Sequence, residues 1–364
     1  MDALCPGGQV LGRGSFPITP PGLTKIHVFR AGAEMQLEHY EKILENVEEA
    51  NYLKAKRYKV NFDVKMGVQK LWEIHDAAIE EFKKGKVSSE GRHTLLELKQ
   101  ELAFTILSSC ELCEHRCRAN RKAGKKGFCG VLQPRIASEF LHFGEEPMLV
   151  PSHTIFFAGC TFHCIFCQNW DISQFPENGI IAGAGDVASC IKSRHTVSLN
   201  VNWVGGEPTP NLPFVLETLS LLDVNVHQIW NSNMYMSTET MKLLDGIIDV
   251  YLADFKYGND RCAEKLSGVK NYVEVVLRNH KIANSQCDVL IRHLVMPGHV
   301  ECCSLPMLEL IDRELEKKNL VINIMDQYRP EYKASQMPEI NRYITKKEYF
   351  TVLNHAKKLG FTIV

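Results

Sequence analysis

The sequence runs to 364 residues, 45% of them hydrophobic, enough for one large domain with accessory regions rather than a minimal unit. Its 42 basic and 43 acidic residues leave a formal net charge of −1, which gives no electrostatic reason to expect nucleic acid or an anionic membrane as the main partner. No apolar run approaches the roughly 20 residues of a membrane-spanning helix, and the first residues lack the apolar stretch of a secretory leader, so a soluble cytoplasmic protein is expected.

In chain order, residues 1–34 are rich in Gly and Pro (PGG, GRG, PITPPG) and read as an extended arm. Residues 35–108 carry three charged, Leu-containing stretches, 35–58, 66–85 and 93–107, which predict three amphipathic helices. A small cysteine-rich module follows over 109–148. From 149 to 335 short apolar strands alternate with helical stretches. The strands are HTIFFAG (153–159), LNVNWVGG (199–206), VHQIWNSN (226–233), IIDVYLADFKY (247–257), VLIRHLVMPG (289–298) and LVINIMDQY (320–328). Such alternation predicts parallel strands with right-handed crossovers, and six of them curve into a partial (β/α)6 TIM-like barrel in the α/β class. A C-terminal helix within 336–364 closes the chain, with FTIV as a further edge strand.

The thirteen cysteines are the compositional anomaly. Seven fall in two tight groups between Cys110 and Cys167, whereas Cys5, Cys190, Cys262, Cys287, Cys302 and Cys303 are scattered and read as small buried hydrophobes or surface thiols. The second tight group, Cys160, Cys164 and Cys167, has the spacing CxxxCxxC directly after the first strand. Three thiolates satisfy three irons of a [4Fe-4S] cubane and leave the fourth open, whereas electron-transfer clusters use four. A zinc ion completed by His163 or His153 is the alternative for the triplet alone. At the end of the second strand stand Gly205, Gly206, Glu207 and Pro208, where glycines admit close backbone approach and Glu207 can accept hydrogen bonds from an ammonium group.

The triplet, with Phe166 before its last cysteine, resembles the signature of the radical S-adenosylmethionine (SAM) superfamily, and GGEP resembles the motif that holds the SAM amino group there. The resemblance implies that the open iron chelates SAM, that one-electron reduction releases a 5′-deoxyadenosyl radical, and that Phe166 lies by the adenine. Later strands add polar residues at their C-terminal ends, where a barrel wall would otherwise be apolar: Asn231, Ser232, Asp254, Lys256, Arg292, His293 and Gln327. Asp254 and Lys256 resemble the DxK of glycyl-radical-enzyme activating proteins. Arg292 and His293 stand where such enzymes contact the SAM carboxylate or ribose, and since adjacent strand residues face opposite ways, at most one of them points inward.

The first tight group, Cys110, Cys113, Cys117 and Cys129, offers four thiolates in a basic stretch and predicts a closed centre, either zinc or an auxiliary [4Fe-4S] cluster. Arg116, Arg118, Arg121, Lys122, Lys125 and Lys126 are expected to offset its negative charge. This module, then HFGEEP (142–147), the triad followed by QNWDIS, DFKY and IRHLVMPG together resemble the pyruvate-formate-lyase-activating-enzyme-like radical SAM proteins, from about residue 109 to the C-terminus. The resemblance implies an oxidoreductase that abstracts hydrogen from a protein or peptide with an external one-electron reductant such as flavodoxin or ferredoxin. A radical methylase or small-molecule enzyme is the alternative, and a non-catalytic metal or redox interaction protein the second. Glu145 and Glu146 read as part of a loop joining the modules. Glycine-rich 179–186 reads as a flexible loop which, with the N-terminal arm, is a candidate cover for the site.

Overall fold

The computed structural model describes residues 37–364. The arm expected at 1–34 lies outside the described residues. The stretch 35–58, expected as one helix, is two: α1 (Glu38–Leu44) and α2 (Asn51–Arg57). Between them Asn46 takes φ 55°, a left-handed conformation that asparagine adopts readily and that ends the first helix. The remaining expected helices are α3 (Val68–Lys83) and α4 (Leu95–Ile106), and α4 opens on a capping box in which Thr94 and Glu97 bond each other's backbone. Two-residue strands β1 (Lys59–Val60) and β2 (His93–Thr94) pair antiparallel beside them.

The larger sheet has eight strands. In chain order these are β3 (Arg135–His142), β4 (Ser152–Phe157), β5 (Ile180–Ile181), β6 (Asn200–Gly205), β7 (His227–Ser232), β8 (Val250–Asp254), β9 (Asp288–Leu294) and β10 (Leu320–Met325), with spatial order β10-β9-β8-β7-β6-β4-β3-β5. The six strands read from the sequence are β4 and β6 to β10, all parallel. Antiparallel β3 and β5 extend the sheet beyond the barrel strands. The connections carry α5 (Trp170–Ser173), α6 (Ala184–Arg194), α7 (Leu212–Ser220), α8 (Thr238–Leu244), α9 (Asp260–Ser267), α10 (Tyr272–Gln286) and α11 (Leu305–Glu314), and α12 (Lys346–Lys358) follows the last strand. FTIV contributes a single parallel bridge, Ile363 to Ile322. The architecture is a partial TIM-like (β/α)6 barrel.

Residues 179–186 do not form a loose loop. Ile180 and Ile181 pair with β3, and Gly183 caps α6, on the far side of β3 from the barrel interior.

Strand residues alternate between two environments. Those facing the helices join the main core, while Ile229, Val250, Leu252, Leu290 and Val321 face inward and pack with Leu149 and with Leu37 and Tyr40 of α1. Helix α1 thus plugs the N-terminal end of the strands. Its Tyr40 backbone N–H donates to Asp288 Oδ2 at 2.8 Å, and its carbonyl accepts from His227 Nε2 at 2.7 Å. With that end closed, a binding site belongs at the opposite, C-terminal ends of the strands.

Candidate functional site

The chain leaves β4 at Phe157 and turns into the loop bearing the three cysteines. Neighbouring backbone holds this loop: His163 and Ile165 N–H groups donate to the carbonyls of Ser267 and Leu266 at the end of α9, each at 3.0 Å. Lys333 N–H donates to Ile165 O at 2.8 Å from the segment after β10. Cys160, Cys164 and Cys167 line one cavity of about 530 Å³ at the C-terminal ends of the strands. Burial pushes all three thiols up, Cys164 to about 12, and the proximity of Cys167 to Cys164 adds to it. Three buried thiolates side by side are costly without a cation among them, so the donor set fits a cluster of iron. Cys164 Sγ lies 2.9 Å from Ser267 Oγ and Cys167 Sγ 3.1 Å from Ser173 Oγ. His163 and His153 are not part of this set. His163 pairs with Gln174, and His153 faces the helix side, bonded to Glu139.

Gly205 and Gly206 lie directly against this loop. Gly205 has φ 130°, and a Cβ there would fall inside the backbone of Phe157, while one at Gly206 would fall inside the Gly159 carbonyl. The glycines therefore admit the cysteine loop itself, and not only a ligand. Glu207 is 1% exposed, and burial raises its pKa against the pull of its hydrogen bonds. Its Oε1 accepts from Ser232 Oγ at 2.7 Å and from Thr209, and its Oε2 accepts from Asn233 N–H at 2.9 Å, so its rotamer is fixed before any ligand arrives.

The inward-facing ends of the later strands complete the wall. Phe166, Asn231, Ser232, Asp254, Lys256, Arg292 and Gln327 all line the cavity. Lys256 Nζ is ion-paired with Asp254. Burial alone would lower the Lys256 pKa, but Asp254 first and then Cys164 and Cys160 raise it overall, so its ammonium stays charged in the cavity wall. The period of two separates the two β9 candidates. Arg292 enters the cavity, whereas His293 lies behind it, 2.7 Å from Phe255 O and 2.8 Å from Ser304 Oγ.

Arg292 meets Glu145 and Glu146, for which the sequence favours a joining loop over a place facing the site. Glu146 accepts from Arg292 Nε at 2.8 Å and from Asn323 at 2.7 Å, and Glu145 pairs with the same guanidinium. Burial pushes the Glu145 carboxyl up, but Arg292 and His142 outweigh it and hold it at about 2. The loop after β3 thus crosses the open side of the sheet to reach β9 and β10, turning two adjacent carboxylates inward. HFGEEP was the available signal, but no strand or helix periodicity told which way its acids face.

None of Cys110, Cys113, Cys117 and Cys129 lines the cavity. Cys110 and Cys113 are buried and Cys117 exposed, and burial pushes the Cys113 and Cys129 thiols up. The group packs directly on the triad loop: His115 Nε2 is 2.8 Å from Thr161 O, and Phe128 stacks on His115 at 3.7 Å and leans on His163 at 4.4 Å. Three of the six expected counter-charges are engaged elsewhere. Arg116 and Arg118 bind Glu111, Arg116 also binds Glu239, and Lys126 binds Glu177. Arg121, buried and bonded to Pro210 O at 2.7 Å, is the one that lowers the Cys129 pKa.

Fold and site together define a partial-barrel enzyme class built around a cysteine triad with an accessible cavity. Residues 154–311 match the family model of the Radical SAM superfamily. The chain is 43% identical over 340 residues to an uncharacterized protein of Methanocaldococcus jannaschii, covering 91% of this chain and 99% of that one. It is 24% identical over 149 residues to Pyruvate formate-lyase 1-activating enzyme of Escherichia coli, covering 39% and 60%. Among solved structures, methylornithine synthase (PylB) is similar at 12% identity and TM-score 0.44, covering 89% and 78%. This chain belongs to the radical SAM superfamily, membership that implies a [4Fe-4S] cluster and SAM as cofactors. No helix among the described residues is long and apolar enough to cross a membrane.

Proposed function

We propose that the chain reductively cleaves SAM at a cluster held by Cys160, Cys164 and Cys167 and directs the radical to hydrogen abstraction from a protein or peptide. The observation that carries this reading is the convergence of the triad, Gly205 to Glu207, Asp254, Lys256 and Arg292 on one cavity. When bound, the cluster supplies an open iron and the electron that cleaves the sulfonium of SAM to a 5′-deoxyadenosyl radical.

The protein's part is positioning. Glu207, already fixed by Ser232, Thr209 and Asn233, accepts from the ammonium of the methionyl moiety. Asn231 and the Asp254–Lys256 pair address the ribose side, Phe166 packs near the adenine, and the Lys256 charge offsets the thiolates. Arg292, matched by two carboxylates, belongs to the wall that meets the substrate rather than to a SAM carboxylate. A polypeptide substrate is supported by the similarity to the activating enzyme and by aromatic groups beside the triad. Trp170, 37% exposed, stacks on Tyr332 at 5.6 Å, and Phe175 is 46% exposed beside it. Apolar side chains rimmed by polar ones suit docking of a chain segment.

We further propose that the four-cysteine group holds an auxiliary cluster that passes electrons from an external donor such as flavodoxin or ferredoxin. A zinc tetrahedron keeps its sulfurs about 3.8 Å apart. Among the described residues, the three-ligand group with all donors within 4.8 Å is a different one, Cys262, His299 and Cys302. The His115–Phe128–His163 contacts bring the four-cysteine group against the triad loop, the placement an electron relay needs. The test is anaerobic reconstitution with iron and sulfide, reduction by dithionite and chromatography for 5′-deoxyadenosine. The reading expects its formation in the wild type and none in Cys164→Ala. No 5′-deoxyadenosine from the wild type would overturn it, and product from a small molecule but from no peptide would move the substrate class.

A further inference from the structure

Three of the cysteines that are scattered in sequence meet in space. Cys262 lies in the first turn of α9 and is buried, while Cys302 and Cys303 lie in a single π turn, Val300–Ser304, ahead of α11. His299, 7% exposed, immediately precedes that turn, and its carbonyl accepts from the N–H groups of both Cys303 and Ser304. The donor atoms of Cys262, His299 and Cys302 all lie within 4.8 Å of one another.

We propose that Cys262, His299 and Cys302 form a binding site for a thiophilic divalent cation, zinc, separate from both cysteine centres described above. Two measurements of geometry carry it. The Cys262 and Cys302 sulfurs are 3.9 Å apart, far from the roughly 2.0 Å of a disulfide. The same separation is close to the ~3.8 Å between two thiolates on one tetrahedral zinc. His299 Nδ1 lies 2.8 Å from the Pro297 carbonyl oxygen, which can only accept. Nδ1 therefore carries the proton and Nε2 presents its lone pair, the tautomer set by a backbone carbonyl in metal-ligating histidines. Behind the three donors, Asn259 donates to the Cys302 carbonyl at 2.6 Å and to Cys303 Sγ at 3.5 Å, holding the turn in place. A π turn is rare and concentrates at functional positions, and here it presents Cys302 toward Cys262.

The site's place in the fold gives it a purpose. Helix α9 carries Cys262 in its first turn and, in its last, Ser267, which touches Cys164 Sγ and whose carbonyl holds the triad loop. The π turn carries Ser304, bonded to His293, the neighbour of Arg292 on β9. An ion at this point ties the connection after β8 to the connection after β9. Both rest against the cavity wall, while the ion itself stays outside the cavity.

The test uses the full-length chain, kept reduced and anaerobic, stripped with EDTA and then given zinc chloride alone. Alkylation by N-ethylmaleimide is followed peptide by peptide, so the four-cysteine group does not confuse the readout. One equivalent of zinc at this site is expected to slow modification of Cys302 and Cys262 at least about tenfold while Cys287 is unaffected, and His299→Gln is expected to weaken that protection about tenfold or more. Zinc-edge X-ray absorption is expected to show mixed sulfur and nitrogen ligation. Equal alkylation with and without zinc, or recovery of a Cys262–Cys302 disulfide from the native protein that zinc does not compete with, would overturn the proposal. The alkylation comparison needs no variant, so misfolding of His299→Gln leaves it decisive.

Discussion

The two tight cysteine groups use the same side chain toward opposite ends. The triad sits at the C-terminal ends of the strands, its three cysteines lining a cavity large enough for a ligand beside them. The four-cysteine group sits behind it, with no thiol in the cavity and with its loop tied by Cys110 N–H to Ala119 O and by Arg118 N–H to Cys110 O, each at 3.0 Å. Their shared border, His115 on Thr161 and Phe128 against His163, is direct contact. The difference teaches that placement relative to the strand ends, more than cysteine content, separates thiols that face a ligand-sized cavity from thiols packed away from it.

The sharpest way to break the comparison is to remove one thiol from each side. Cys164→Ala is expected to abolish 5′-deoxyadenosine formation and lose roughly four irons, whereas Cys117→Ala loses the closed centre and keeps the spectral response to SAM, as read by iron analysis and Mössbauer spectroscopy. Equivalent losses from the two variants would erase the distinction.

Next in size is the charged wall opposite the triad. Arg292→Met leaves Glu145 and Glu146 buried without their cation and is expected to cost about 3–5 kcal/mol of stability, measured by urea unfolding. Glu145 itself links that wall to pH. Its carboxyl is held at about 2, below the ordinary 4.5, so it contributes stability above about pH 4.5 and loses it as pH falls toward 2. Glu145→Gln should therefore flatten the stability curve across that window by on the order of 3 kcal/mol, and an unchanged slope would show that Arg292 does not hold it.

Gly205→Ala is smaller but tests the contact between strand and cysteine loop. Its φ of 130° and the Phe157 backbone leave no room for a methyl group, and a cost of about 2–3 kcal/mol with weakened iron binding is expected in thermal melts. Smallest of all is His293→Gln. Because His293 faces away from the cavity, SAM affinity by calorimetry should move less than about twofold, within the factor of ten that 1.4 kcal/mol would produce.

How much of this was legible in the sequence follows from burial. Parallel strands buried on both faces read as apolar runs, which is why β4 and β6 to β10 stand out. Strand β3 mixes Ser138 and Glu139 into a half-buried antiparallel extension, and two-residue β5 lies beside glycines, so neither gave a run to find. Asn46 broke a helix whose charge pattern continues across it. For the site, CxxxCxxC and GGEP are local in sequence and were readable, and period two limited Arg292 and His293 to one inward residue without saying which. Glu145 and Glu146 meet Arg292 across about 146 positions, and Cys262 meets Cys302 across 40. Such meetings are set by how the barrel closes and leave no local pattern.

The most direct measurement is electron paramagnetic resonance of the dithionite-reduced, reconstituted chain in a Cys113→Ser background, with and without SAM. With the closed centre removed, the account predicts that SAM shifts the remaining signal and that 5′-deoxyadenosine accumulates or SAM is consumed. A signal that SAM leaves unchanged, with no 5′-deoxyadenosine, would contradict the claim that Cys160, Cys164 and Cys167 hold the ligand-exchanging centre.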